Sequence, residues 1–310
     1  MIILNAIIPV FGIILIGTIA AKLNILGSNA DKILSSFVYF IALPSTLFLS
    51  GAKTPLPMYL DAWPFAVAYG LSTFIMFILM FQKKNNNRKA RIINSLSVAS
   101  PNVAFMGIPV MLVLFGDKAM LIVIVATIFF IGAVIVSVIM LDALNTEKHI
   151  NERYKVAKIL LKNPLLISIV VGILFSSFKI KLPVSIESLF SYLSATTGPL
   201  ALFAIGTTIT FRMPKSIPHL FLVSFLKLII MPLITFLLLL IFGATPLMLG
   251  AGLVISCLPV AVTSFILAQK YESYIQESSD IVISSTIFSI ITLSIVIAIV
   301  SALYPSILIA

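Results

Sequence analysis

Long apolar runs separated by short polar ones set the pattern of this chain. A helix needs about 20 apolar residues to cross a bilayer. Ten runs meet that requirement, near 2–22, 33–52, 62–82, 92–115, 119–141, 159–178, 186–210, 217–242, 246–269 and 281–304. The longest polar interval, near 142–158, falls about halfway along. The pattern predicts an all-α polytopic membrane protein of ten transmembrane helices. Its expected organisation is a first block of 1–145, a cytoplasmic linker of 146–158 and a second block of 159–310.

The two blocks overlay. Spans 1 and 6 each set a proline eight residues before a glycine, at Pro9 and Gly17 and again at Pro164 and Gly172. Span 2 carries Pro44 and Phe48, and span 7 carries Pro199 and Phe203. Spans 4 and 9 each hold a central proline, Pro101 and Pro259. Matches in the same order predict a 5+5 repeat. Five is odd, so the second repeat enters from the opposite side. Inverted repeats of this kind characterise many secondary transporters.

Spans 4 and 9 also carry the chemistry. Proline has no N–H and clashes with the preceding turn, so Pro101 and Pro259 break their helices. Irregular backbone at membrane depth is tolerated only inside protein or beside a water-filled cavity. At about 1.5 Å per residue both breaks fall near the midplane. Each half-helix after a break begins there, with free N–H groups and a partial positive charge. Two such ends facing one cavity favour an anion. Ser100, Pro101 and Asn102 on one side, and Pro259 and Thr263 on the other, are the candidate substrate-binding residues. The plainer reading of either proline is a kink that only shapes packing.

Lys227 is the one Lys or Arg well inside a span. An ionisable residue at that depth is a functional candidate. It attracts a carboxylate, replaces a coupling cation, or serves carbonyls freed at the breaks. Ser45 and Thr46 in span 2 are further cavity candidates, although hydroxyls in membrane helices usually bond to nearby backbone. Asp142, Glu277 and Asp280 lie near span ends and are expected to be solvated. His149 and His219 read as loop residues.

Composition supports the membrane reading. Hydrophobic residues make up 61% and charged residues 10%, against about 25% charged in soluble domains. The net charge of +10 does not signal nucleic acid, because Lys and Arg sit between apolar runs. Fifteen fall in one set of alternate loops; four, Lys53, Lys118, Lys179 and Lys181, fall in the other. That bias places both termini outside the plasma membrane. The first span lacks a positive n-region and is expected to be retained. The single Cys257 makes no internal disulfide. No paired mid-membrane carboxylates, Ser/His arrangement, His-Glu metal motif or P-loop pattern occurs. The chain is therefore expected to be neither an enzyme nor an ATP-driven pump, with no cofactor and no metal.

The stretch Pro101-Asn102-Val103-Ala104-Phe105-Met106-Gly107-Ile108-Pro109 closely resembles the fourth span of the auxin efflux carrier family. Ala42-Leu43-Pro44, Leu226-Lys227 and Met231-Pro232 resemble its bacterial members. The likeness implies a ten-helix inverted-repeat carrier whose fourth and ninth helices cross at their prolines, with substrate at the crossing. It implies elevator-like movement of a transport domain against a scaffold, in a homodimer. Asn102 takes the role of the substrate-contacting asparagine, and Pro101 and Pro259 that of the crossover. Plant members place an Asp and a Lys near the corresponding part of span 2. The stretch 40–46 has neither, which points away from auxin itself; the resemblance to bacterial members implies small carboxylates such as malate or malonate.

The leading expectation is a secondary active transporter of a small organic anion, a dicarboxylate or auxin-like acid. The alternative is a cation-coupled symporter of the bile-acid or sodium–proton crossover type. The missing mid-membrane carboxylate counts against that alternative.

Overall fold

The computed structural model describes residues 2–27, 29–83, 87–144, 162–208 and 217–308. The expected linker of 146–158, with Lys148, His149, Arg153, Lys155 and Lys158, lies outside them. So do Lys84, Arg212 and Lys215.

Among the described residues every regular element is helical. The first half contains α1 (Ile2–Lys22), α2 (Ala30–Phe37), α3 (Leu43–Lys53), α4 (Leu56–Asp61), α5 (Trp63–Gln82), α6 (Arg88–Ala99), α7 (Ile108–Phe115) and α8 (Met120–Ala143). The second contains α9 (Pro164–Ser177), α10 (Val184–Ala195), α11 (Thr197–Thr208), α12 (Ile217–Phe225), α13 (Met231–Ile241), α14 (Pro246–Ser256), α15 (Thr263–Lys270) and α16 (Ile275–Leu303).

Among the described residues six continuous stretches are long and apolar enough to cross a membrane: Ala30–Lys53, Trp63–Gln82, Val103–Ala143, Val184–Thr208, Ile217–Ile241 and Ile275–Leu303. Three shorter apolar helices accompany them, Ile8–Lys22, Pro164–Ser177 and Pro246–Ser256. This differs from ten uniform spans for local reasons. The expected fourth and ninth spans are each interrupted by non-helical backbone. Residues 103–143 run on through a turn at Gly116, whose φ of 63° suits glycine, so parts of two expected spans join.

Prolines within these helices have two different effects. Leu43, Ile108 and Met231 each precede a proline and remain helical. Their N–H groups reach five residues back, to Val38, Val103 and Leu226. Each proline clashes with the carbonyl one turn earlier, and the helix answers by widening into a single π-turn. Ser100 instead takes the extended conformation (φ −116°, ψ 102°) that a residue before proline prefers, and the helix stops. Other starts carry side-chain caps: Asn87 accepts from Ala90 N–H at 3.1 Å, and Thr245 from Met248 N–H at 3.4 Å.

Packing interleaves the two halves. α3 lies along α9, and α1 lies along α11. Together with α2 and α10 these helices form one group. A second group gathers α5, α6, α8, α12, α13, α14, α15 and α16. A shift of 155 positions carries Pro9, Gly17 and Pro44 onto Pro164, Gly172 and Pro199. The same shift relates the tightest contacts. Gly17 abuts the Phe203 carbonyl and Gly206. Gly172 abuts the Phe48 carbonyl and Gly51, which are the same positions with the halves exchanged.

A Cβ on Gly172 would stand 2.6 Å from the Phe48 carbonyl oxygen and 3.1 Å from the Ala52 nitrogen. Both are backbone atoms and cannot swing aside. Gly172→Ala should therefore cost about 1–3 kcal/mol, read as a lowered unfolding temperature in detergent. Gly12→Ala, which meets nothing within 4 Å, should leave that temperature unchanged. Equal behaviour of the two variants would contradict the close approach.

Candidate functional site

The two interruptions meet. Asn102 donates its N–H to the Pro259 carbonyl at 2.8 Å, and Ala261 donates to the Ser100 carbonyl at 3.1 Å. Pro101 and Val260 thus form an antiparallel bridge. Four backbone groups freed by the breaks satisfy one another without water. A fifth, the Val260 N–H, reaches Ser285 Oγ at 3.2 Å.

After the crossing both chains become helical again. The Asn102 carbonyl accepts from Met106 at 3.1 Å and from Gly107 at 2.9 Å, closing the π-turn of Val103–Gly107. On the other strand Ile266 N–H returns to Val262, and α15 begins at Thr263. Val103 N–H turns back to the Pro101 carbonyl at 2.8 Å and Ser264 N–H to the Ala261 carbonyl at 3.2 Å; the other first-turn N–H groups of each segment have no helical carbonyl to bond.

A cavity of about 430 Å³ opens beside these two starts. Asn102, Val103 and Ala104 line it from one segment, and Ala261, Val262 and Thr263 from the other. The Asn102 side chain makes no capping bond. The rest of the wall comes from α2 and the turn after it, α8, α9, α11, α15 and the Val103–Gly107 turn, and its aromatic residues are Tyr39, Phe40, Phe105 and Phe130. Among the described residues that line it, none is Lys, Arg, Asp or Glu.

Lys227 is fully buried, away from that wall. Its Nζ donates to the Ser256 carbonyl at 2.7 Å and lies 3.1 Å from Met231 Sδ. Ser256 is the last residue of α14. The ammonium therefore caps the negative end of the helix that leads into the second break.

The structure brings Asn102 and Thr263 into one cavity, with Pro101 and Pro259 making the crossing behind them. Ser100 is buried with its hydroxyl unpartnered. Ser45 donates to the Ile41 carbonyl at 2.7 Å and does not line this cavity. Thr46 lies elsewhere, bonded to Ser194 and Thr197 hydroxyls at 2.9 and 2.8 Å. Two peripheral expectations are corrected. Asp280 is buried rather than solvated, accepting from Gln276 Nε2 at 3.0 Å, on a helix, α16, that α12 and α15 pack against. His219 lies in the first turn of α12, its ring 3.4 Å from Asn94 Oδ1. The aromatic wall was invisible beforehand, since a phenylalanine in an apolar span looks the same whether it meets lipid, core or cavity.

No group of His, Cys, Asp and Glu among the described residues could hold a metal ion. The model of a family described as membrane transport protein matches residues 2–297. A Rhizobium meliloti protein named "Putative malonate transporter" is 26% identical over 299 residues, covering 93% of this chain and 92% of that one. An uncharacterized transporter of Methanocaldococcus jannaschii is 24% identical over 313 residues, covering 95% and 97%. Another, from Methanothermobacter thermautotrophicus, is 24% identical over 295 residues, covering 93% and 95%. All three are named as transporters.

Removing the Lys227 cap tests its role. Lys227→Met leaves the buried Ser256 carbonyl unpartnered and should cost about 1–3 kcal/mol. Lys227→Gln keeps a donor and should lose less. Thermal unfolding in detergent compares them; a Met variant as stable as the parent would show that the ammonium is not needed there.

Proposed function

The chain belongs to the membrane transport protein family, that of the auxin efflux carriers, and its relatives are transporters rather than enzymes. From that premise we propose that it is a secondary active carrier of a small organic anion in the plasma membrane. Ten spans in two inverted five-helix repeats, with helices 4 and 9 crossing, are part of this reading, as are a homodimer and termini outside. The interleaved contacts at a constant shift of 155 positions support the repeat. The loop charge bias supports the orientation.

One observation carries the substrate class. The cavity is walled by the starts of both half-helices and by the Asn102 carboxamide. Each helix start is worth about half a positive charge. Together they offset about one negative charge, with no basic side chain on the wall. A single carboxylate is matched; a dianion such as malonate leaves about one charge uncompensated. Tyr39, Phe40, Phe105 and Phe130 suit an apolar body behind the carboxylate. A volume of about 430 Å³ is ample for a small acid.

The cavity lies between the two helix groups. Movement of the group bearing the crossing, past the group of α1, α2, α3, α9, α10 and α11, would expose the site to each side in turn. That is elevator-type alternating access.

Binding is tested by ligand-dependent thermal stabilisation of the purified protein. Phenylacetate should raise the unfolding temperature more than malonate does at equal concentration, with and without sodium. Asn102→Ala should abolish the rise and reduce uptake into proteoliposomes at least tenfold, with the ligand-free unfolding temperature retained. Stabilisation by cationic compounds only would overturn the anion reading. A sodium requirement would favour the symporter.

A further inference from the structure

A second cavity, of about 640 Å³, lies at the other end of the seam between the helix groups. Its wall on α3 presents Thr46, Ser50 and Lys53, spaced i, i+4 and i+7 and so on one face. The facing helix α10 presents Ser194 and Ser191, with Glu187 one turn further along the same face. The two helices run in opposite directions and pair like rungs. At the mouth Lys53 Nζ meets Glu187 Oε1 at 2.7 Å. At the base Thr46 meets Ser194 at 2.9 Å and Thr197 at 2.8 Å. Ser50 and Ser191 face the cavity between them.

The 155-position shift puts Ala201, Ile205 and Thr208 where Thr46, Ser50 and Lys53 stand. It puts Lys32, Ser36 and Tyr39 where Glu187, Ser191 and Ser194 stand. Four of these, Ser36, Tyr39, Ile205 and Thr208, line the Asn102 cavity. The two cavities are thus built on equivalent positions but differ in chemistry. Both carry hydroxyls, but one adds the Lys53 ammonium where the other has Thr208, and the other adds the aromatic wall.

We propose that the rungs of α3 and α10 form a carboxylate-holding subsite on the Lys53 side of the protein, whose ammonium has no counterpart on the Asn102 side. Glu187 occupies Lys53 when no ligand is present. The pair is about half exposed, at 58% and 42%, and such a pair is worth little, so an arriving carboxylate displaces Glu187 at small cost. The serine hydroxyls then donate to its second oxygen. Short-range donors do this rather than the overall field, because Lys118, Asp117 and Asp61 also line the cavity and, with Lys53, sum to zero. The carrier would thus hold an acid more tightly on its Lys53 face. The loop charge bias makes that the outer face, suited to capture from outside.

The subsite is testable without transport and without Asn102, so its failure is separate from failure of the carrier reading. In Ser50→Cys protein, the anionic reagent 2-sulfonatoethyl methanethiosulfonate and its cationic trimethylammonium analogue are compared. The ratio of anionic to cationic rate should exceed that of a free small thiol at least threefold. Glu187→Gln should raise it further, and Lys53→Gln should abolish the excess. Millimolar phenylacetate should slow the reaction. Exchanging the pair, Lys53→Glu with Glu187→Lys, keeps an ion pair but puts a carboxylate on the wall; it should not restore the ratio, whereas a purely structural pair would be rescued. Ser191→Cys serves as a second reporter if Ser50→Cys does not fold. A ratio equal to the free thiol's, one indifferent to Lys53, or a thiol inert to both reagents would overturn the proposal.

Discussion

Two backbone hydrogen bonds, Asn102 to Pro259 and Ala261 to Ser100, are the constraint on which the rest depends. In hydrocarbon an unsatisfied N–H or C=O costs several kcal/mol. Two broken helices side by side would free many such groups. Here the breaks serve each other, Ser285 takes the Val260 N–H, and Lys227 takes the Ser256 carbonyl. Most of the polarity created by Pro101 and Pro259 is thus consumed within the crossing. What remains directed outward is small and specific: two helix starts and the Asn102 carboxamide, at one cavity.

That self-sufficiency matters for movement. A site whose backbone was held by the other helix group could not shift without exposing polar groups. The crossing draws its partners from α6, α14 and their continuations, and its support from α12 and α16. The helices α6, α12, α14 and α16 all belong to one group. The other group is locked internally by backbone-to-backbone contact at Gly17 with Gly206 and Gly51 with Gly172. Each group is tied more closely within itself than across the seam, where the two cavities lie. Under the proposed mechanism the seam is the surface that slides.

Much of this was legible in the sequence because the breaks are written in prolines. Pro101 and Pro259 marked the interruptions, Asn102 the amide beside one of them, and Pro9, Gly17 and Pro44 the internal correspondence. The ammonium of Lys227 was legible as unusual but not as to purpose. Its depth fitted a ligand, a substituted cation or a cap, and only the 2.7 Å bond to Ser256 places it against that carbonyl. The distinction between Pro101, which breaks its helix, and Pro44, Pro109 and Pro232, which only widen theirs, was not legible. It turns on whether the preceding residue leaves the helical region, and neighbours decide that. The hydroxyl of Thr46 was read as one candidate among several for the same cavity, yet it lines the opposite one. Periodicity gives the face of a helix, not which end of a seam that face meets.

The inverted correspondence has a further physical consequence. If the two halves were identical in sequence, both cavities would have the same wall and an acid would be held equally at each end. Nothing in the fold enforces that equality, because equivalent positions contact different partners' side chains and vary independently. Thr208 in place of Lys53 removes the ammonium from one end, while Ser36 and Tyr39 keep hydroxyls at the positions of Ser191 and Ser194. Hydrogen bonds to a charged group are worth about 1.5–3 kcal/mol, and 1.4 kcal/mol is about tenfold in affinity. One charged donor present on one wall and absent from the other is enough to make the ends unequal by about an order of magnitude.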